Sequence, residues 1–459
     1  MHFVAMKPTA ANRHAGPQPD VTVSFSEAAR TWAKVASLSF GGPAGQIAVM
    51  QRILVDEKRW VSQRQFLHAL NYCMLLPGPE AMQLAAYIGW LMHRWKGGLL
   101  AGVLFVLPGF VSILALSILY AGWGDVPLVE AIFYGIKPAV LAVVVHALVR
   151  VAKRALAGPL LVLIAGLACV AIFAFGVPFP AIIGVAALIG WLGGRLGISA
   201  LRASPVPGAD DPPEPEPVPP PPIRRTVATV LLWLTIWWVP VGLLAVALPG
   251  SVFVTEAVFF SKTATVTFGG AYAVLVYIAQ RAVEDFGWLS AGEMLDGLGM
   301  AETTPGPLIQ VIQFVGFLGG FRNPGAMNPF IAGVLGSVVT TWVTYAPCFL
   351  WILAGAPYIE HLRGRRDLTA ALSAVTAAVV GVILNLAVWF SIRTLFGETD
   401  RLTKWILELD VPTWRTVDPI AVAIAAGAAL ALFRFRRGIV ETMAAAALLG
   451  IAVRLLGFS

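Results

Sequence analysis

The sequence predicts an all-α polytopic membrane protein made of two inverted-topology repeats with broken or re-entrant helices and about 13 membrane segments. Three observations carry that expectation: the composition, an internal repeat at constant offset, and the distribution of basic residues among the loops. Of 459 residues, 58% are hydrophobic and only 12% are charged, about half the charge of an average soluble domain. The mean hydropathy is +0.79. Phe40-Gly41-Gly42 and Pro77-Gly78-Pro79 recur as Phe268-Gly269-Gly270 and Pro305-Gly306-Pro307, each 228 residues later. Trp60, Ser62 and Lys34 recur as Trp288, Ser290 and Lys262 at the same offset. Two copies of one membrane unit in a single chain explain this register.

Along the chain, residues 1–24 form a polar tail with Lys7 and Arg13 and no apolar core of a signal peptide, so the first segment is expected to start in the cytoplasm. Residues 25–202 are the first repeat, 203–225 a Pro-rich cytoplasmic linker, 226–247 a single inverting helix and 248–459 the second repeat. Apolar runs of spanning length occur at 98–120, 129–149, 156–175, 178–194, 226–247, 327–352, 368–392, 417–433 and 438–456, giving nine expected full spans. The linker holds ten prolines between residues 205 and 222, with Asp210, Asp211, Glu214 and Glu216, and prefers extended polyproline conformations.

Basic residues near span ends mark the cytoplasmic face. Arg94 with Lys96, Arg150 with Lys153 and Arg154, Arg195 with Arg202, and Arg224 with Arg225 are therefore expected inside, and the turns at Gly124-Asp125 and Gly176-Val177 outside. Residues 51–64 hold four basic residues, whereas the equivalent stretch 279–292 holds only Arg281. The second copy is thus expected upside down, with Arg363, Arg365 and Arg366 and later Arg434, Arg436 and Arg437 at cytoplasmic returns. An odd number of crossings and an external C-terminus follow.

Four segments, 35–50, 66–92, 263–278 and 294–318, are interrupted by Gly-Gly or Pro-Gly-Pro and are read as broken helices. Broken backbone at membrane depth is tolerated only where it is buried in protein or lines a wet cavity. Pro79 and Pro307 suit a first helical turn, as does Pro43 after Gly42, and each helix start offers unpaired N–H donors and roughly +0.5 charge. Such starts meeting near the midplane suit a tetrahedral oxyanion. Ser39, Gln46, Gln83, Thr267, Tyr272, Gln310 and Gln313 are nearby candidate donors. Lys34 and Lys262 are the first choices for full positive charge, and Lys137 is a pathway residue or an ion-pair partner. Glu80 is either a proton-coupling group or a helix cap, since Leu308 takes its position in the second copy. The bland reading, in which glycines and prolines only kink packed helices, is weakened by the duplication of both motifs.

Phe40-Gly41-Gly42-Pro43-Ala44-Gly45-Gln46, Leu76-Pro77-Gly78-Pro79-Glu80 and Phe133-Tyr134-Gly135-Ile136-Lys137-Pro138-Ala139 resemble the chromate ion transporter family in its long, two-domain form, from about residue 24 to the end. The resemblance implies export of chromate across the cytoplasmic membrane and chromate resistance, with sulfate as the related anion. The partners are then the oxyanion and the lipid bilayer, with a homodimer left open, no nucleic acid, no metal and no cofactor. The second copy departs from the first at Ala271, Tyr272 and Leu308, which replace Pro43, Ala44 and Glu80.

Cys73, Cys169 and Cys348 lie apart in apolar segments without metal-ligand spacing. No G-x-x-x-x-G-K-[ST] occurs, so no nucleotide site is expected and the chain is read as a transporter, not an enzyme. Rival readings are a carrier for sulfate or another oxyanion, a structural scaffold, and an intramembrane protease suggested by Gly122-Trp123-Gly124-Asp125. The last lacks a second aspartate in a neighbouring apolar span.

Overall fold

The computed structural model describes residues 23–74, 76–124, 126–198, 222–268, 271–358, 366–404 and 407–457. The tail up to residue 22, the linker through residue 221, and Asp125, Gly269, Gly270, Arg363 and Arg365 lie outside the described residues. The described residues form 16 α-helices and one β-hairpin.

Both copies begin alike. Helix α1 (Phe25–Ser37) breaks before α2 (Gly42–Gln51), which loosens into a π-helical turn at Arg52–Glu57. Ser62 then caps α3 (Gln63–Cys73) in a reciprocal box with Gln65. In the second copy α9 (Val252–Val266), α10 (Ala271–Gln280), a π-turn at Arg281–Asp285 and α11 (Ala291–Thr303) repeat the series, with Ser290 and Glu293 forming the same box. The N–H of Trp60 donates to Leu54 O and that of Trp288 to Ala282 O, both at 2.8 Å. The repeat seen in sequence is therefore a repeat of local hydrogen bonding, since Ser and Gln/Glu at this spacing satisfy two free donors of a helix start.

After Pro-Gly-Pro each copy makes a helical hairpin. In α4 (Glu80–Trp123) the backbone leaves helical geometry at His93 and Arg94, and the chain turns back. A Cβ at Gly98 would lie 3.0 Å from Ala86 O, so small residues let the two arms touch. In the second copy the arms are α12 (Val311–Arg322), entered through a 3₁₀ turn at Leu308–Gln310, and α13 (Pro329–Gly355). Here a Cβ at Gly316 would lie 2.8 Å from Gly336 O.

The later helices exchange partners between copies. Helix α5 (Pro127–Ala155) packs on α15 (Pro419–Phe433) and α16 (Ile439–Leu455) of the second copy. In return α14 (Arg366–Leu395) packs on α6 (Pro159–Phe175) and α7 (Phe179–Arg195) of the first. Glycines fit each crossing: Gly135 faces Ala446 and Gly450, Gly190 faces Ala370, and Gly381 faces Ala165. Between the copies, α8 (Ile223–Ala247) lies against α13 with most of its surface exposed. Two bundles result. One holds the hairpins with α1, α8 and α9, the other holds α5–α7 and α14–α16, and α10 and α11 connect them.

Among the described residues, five helices are long and apolar enough to cross a membrane: Glu80–Trp123, Pro127–Ala155, Ile223–Ala247, Pro329–Tyr358 and Asp367–Leu395. The other four apolar runs expected as spans form the shorter helices α6, α7, α15 and α16. Helices α6 and α7 have 17 residues each and α15 has 15, which at 1.5 Å per residue fall short of a hydrocarbon core of about 30 Å. Gly158-Pro159 and Gly176-Val177-Pro178 set the ends of α6 and the start of α7. The all-α expectation also misses a hairpin of β1 (Thr399–Lys404) and β2 (Leu407–Pro412), paired antiparallel with Thr399 opposite Pro412.

Gly316→Val should lower the melting temperature in detergent, because the added carbons collide with Gly336 O and with Thr340 Oγ1 at 2.7 Å; over-packing of this kind costs about 1–3 kcal/mol. Gly184→Ala, with no atom within 4 Å of its Cβ, should melt with the parent protein. Equal melting of both variants would refute the close-packed hairpin.

Candidate functional site

The broken helices of the two copies meet through their backbones. Gly78 N–H donates to Thr267 O at 2.7 Å, and Gly306 N–H donates to Ser39 O at 2.9 Å. Thr267 and Ser39 are related by the 228-residue offset, as are Gly306 and Gly78. The hydroxyls of Ser39 and Thr267 each donate, at 2.7 Å, to the carbonyl four residues earlier, Val35 and Thr263. Gly78 has φ +124° and Gly306 φ +107°, a backbone region that side-chain-bearing residues rarely enter. A Cβ at Gly78 would also meet Gln83 Nε2 at 2.7 Å and Cys348 Sγ at 2.8 Å.

Three helix starts at this crossing carry no side-chain cap: α2 after Gly41, α4 after Pro79, and the 3₁₀ turn after Pro307. Pro43 lies in the first turn of α2. Gly41 is left-handed, with φ 76° and ψ 35°, which aims the chain into α2 without a side chain in the way. The free N–H groups at such starts favour negative charge.

The glutamines hold the frame. Gln46 Nε2 donates to Gly306 O at 2.6 Å, Gln83 Nε2 to Pro77 O at 2.7 Å and Gln313 Nε2 to Phe110 O at 2.9 Å. Gln310 Nε2 reaches Gln313 Oε1 at 2.5 Å, and Tyr345 donates to Gln310 Oε1 at 2.7 Å. Side-chain amides thus replace the backbone partners that the helix breaks remove. Gln46, Gln83, Gln310 and Gln313 are all buried.

Other predicted residues lie elsewhere. Lys34 is exposed and reaches Glu57 at 3.5 Å, and Lys262 and Phe40 are exposed as well. Glu80 is the first residue of α4 and half-buried, and Phe268 and Pro305 are half-buried beside the breaks. Lys137 contacts Asp296 Oδ2 at 3.3 Å, and the same oxygen accepts from the Tyr120 hydroxyl at 2.8 Å. Lys137 also lines a cavity of about 140 Å³ with Tyr134, Gly292, Arg393 and Asp418. Asp418 caps α15 and accepts from Tyr134 at 2.7 Å.

Sequence reasoning passed over Asp296, Glu302 and Arg150. Asp296 and Glu302 are 1% and 0% exposed. Glu302 Oε1 accepts a hydrogen bond from the Tyr272 hydroxyl, and Oε2 has no hydrogen-bond partner among the described residues. A Cβ at Gly42 would sit 3.8 Å from that hydroxyl and 3.9 Å from Oε2. Arg150 of α5 is near enough to act electrostatically on both Tyr272 and Glu302. A signal existed: both acids interrupt an otherwise apolar run at 294–302, and neither recurs in the first copy, where His68 is opposite Asp296 and Met74 opposite Glu302.

The family profile described as "Chromate transporter" matches residues 26–191 and 254–451, one stretch in each copy. The chain belongs to the chromate transporter family. It is 32% identical to the chromate transport protein of Pseudomonas aeruginosa over 82% of this chain and 83% of that protein. It is 27% identical to the chromate transport protein of Cupriavidus metallidurans over 79% of this chain and 81% of the relative. Identity to the probable chromate transport protein of Synechococcus elongatus is 25%, over 88% and 94% of the two chains. No solved structure matches. Membership of this transporter family and the five long apolar helices make the chain a multi-pass membrane protein.

In this family member the Lys137–Asp296–Tyr120 contact joins α5, α11 and α4. Lys137→Met should destabilise it by about 1–3 kcal/mol, because a buried carboxylate loses its cation. Lys137→Met/Asp296→Asn should recover most of that loss, with the Asn oxygen still accepting from Tyr120. Additive losses in thermal melts of the single and double variants would rule the pair out.

Proposed function

We propose that this chain exports chromate, a divalent tetrahedral oxyanion, from the cytoplasm through the bacterial inner membrane and so confers chromate resistance. The observation that carries the reading is the meeting of three uncapped helix starts at the paired Gly-Gly and Pro-Gly-Pro breaks of a chromate transporter family member. The N–H groups of Gly42, Glu80 and Leu308, which follow Gly41, Pro79 and Pro307, bind the anion at close range, and Gln46, Gln83 and Gln310 keep those starts in position. Tyr272 faces the same space, with Phe40, Phe268, Pro43, Pro77 and Pro305 shaping it. Lys34 and Lys262 attract the anion at the rim, and Lys137 stands on the exit path.

The two copies are read as inverted repeats within about 13 membrane segments, with the N-terminus cytoplasmic and the C-terminus outside. The symmetric pair of hydrogen bonds, Gly78 to Thr267 and Gly306 to Ser39, supports a two-fold relation between copies. Transport is driven by the membrane potential or by a coupled ion. A dianion moving outward across 100 mV, inside negative, gains roughly 4.6 kcal/mol, about three decades of gradient.

Radiolabelled chromate flux in everted vesicles, with membrane potential, pH gradient and sulfate varied independently, tests the proposal. Uptake into everted vesicles driven by the potential or by the pH gradient is expected, and its absence under both would sink the export reading. Competition by sulfate as strong as by chromate itself would favour the alternative of a general oxyanion carrier.

Gly78→Ala and Gly306→Ala should each reduce the flux on the order of tenfold to a hundredfold through displacement of the helix starts. Lys262→Gln should reduce it chiefly at low ionic strength, because an exposed charge acts at long range and is screened by salt. Unchanged flux in these variants would remove the residues from the pathway.

A further inference from the structure

Glu302 is a carboxylate with no counterpart in the first copy, and its placement is unusual. It is fully buried, one oxygen is held by the Tyr272 hydroxyl, and the other has no hydrogen-bond partner among the described residues. That free oxygen faces the start of α2, within 3.9 Å of where a Gly42 Cβ would be. The same helix start, uncapped by any side chain, is the one assigned above to the anion.

A carboxylate and an oxyanion cannot both occupy it as full charges. Like charges at contact distance in a poorly screened interior repel by several kcal/mol. Ionised, Glu302 takes the place of the substrate as the negative group served by α2. With a proton on Oε2 it becomes neutral and leaves the helix start to the anion.

We propose that Glu302 is a proton-binding residue linked to anion binding, so that the protein takes up one proton at Glu302 when an oxyanion binds at the α2 start. The inference rests on the reading of that start as an anion site. No bond is made or broken except the O–H of the carboxyl group, and the proton comes from solvent. The bond from the Tyr272 hydroxyl holds Oε1 in place, so the proton exchanges at Oε2.

The charged surroundings are uneven. On α5, Arg150 acts on Glu302 and itself contacts His146 Nδ1 at 3.3 Å. Helix α2 carries no ionisable side chain, and α10 contributes Tyr272. On α11 itself, Asp296 is occupied by Lys137 of α5 and Tyr120 of α4. Helix α16, which packs on α11, carries Glu441 in its first turn. Helix α14, which also packs on α11, carries Asp367 and Arg393 at its two ends. Arg150 of α5 is thus a cation whose field reaches Glu302.

The test is chromate binding to the purified protein by calorimetry from about pH 5.5 to 8.5, with affinity expressed per chromate dianion, since linkage makes a one-proton uptake worth up to about tenfold per pH unit. The wild-type affinity should weaken as pH rises and level off in acid. Glu302→Gln should bind near the acid-limit affinity with a flat profile. Tyr272→Phe and Glu302→Asp should keep the slope but move its midpoint, which provides the test if Glu302→Gln does not remain monodisperse. A wild-type slope in Glu302→Gln, or unmoved midpoints in both other variants, overturns the assignment of Glu302 alone. Absence of chromate binding to the wild type at every pH overturns the transport reading beneath it.

Discussion

A break in a helix leaves backbone donors and acceptors without partners, and inside a bilayer water is not there to take them. The two hydrogen bonds from Gly78 to Thr267 and from Gly306 to Ser39 answer that constraint by pairing the break of one copy with the break of the other. Neither copy can close its own break in this way. The remaining groups are served by buried glutamine amides, with Gln46 on Gly306 O, Gln83 on Pro77 O and Gln313 on Phe110 O. The folded state of each half therefore depends on the other. The exchange of α5 and α14 between terminal helix pairs extends the same dependence through the rest of the molecule.

This frame is made of backbone, and that leaves side chains free to diverge. Glu302 stands where the first copy has Met74, Glu256 where it has Ala28, Tyr272 where it has Ala44, and Leu308 where it has Glu80. A hydrogen bond from a glycine N–H to a carbonyl does not care which side chains flank it, provided the glycine keeps its positive φ. Duplicated acids facing one another across a shared centre would repel, so one copy carrying the carboxylate is the less costly arrangement. Symmetry of scaffold and asymmetry of charge have the same origin.

What could be read from the sequence is what local chemistry determines. Gly and Pro break helices wherever they stand, and Ser62 with Gln65 or Ser290 with Glu293 cap them, so the broken segments and their spacing were legible. The glutamines were read as donors, but their acceptors could not be, because Gln46 and Gly306 are 260 residues apart. Lys137 was noticed for its place in a span, whereas Asp296, its partner, becomes meaningful only when α5 and α11 touch. The alternation in Thr399–Lys404 and Leu407–Pro412 was a strand signal overlooked beside stronger apolar runs. The helices α6, α7, α15 and α16 coincide with apolar runs of the sequence, but hydropathy counts apolar residues and does not show where a helix ends.

Several of the ionisable residues that differ between the copies gather at one place. Asp296 and Glu302 are on α11, Tyr272 is on α10, and the cations that act on the two acids, Lys137 and Arg150, are on α5. Helices α10 and α11 are the short elements between the hairpin bundle and the bundle of α5 to α7 with α14 to α16. Many of the other interfaces are close helix crossings in which glycines meet carbonyl oxygens, and at one of them the fully buried Glu256 lies against Gly319 and Gly336. At the connecting helices both bundles are within reach and helix starts remain uncapped, so a buried charge can find a cation from one side and backbone donors from the other. At the joint between the bundles, buried acids thus meet cations of α5, and a change in the charge state of a bound anion or of Glu302 there alters contacts to both bundles at once.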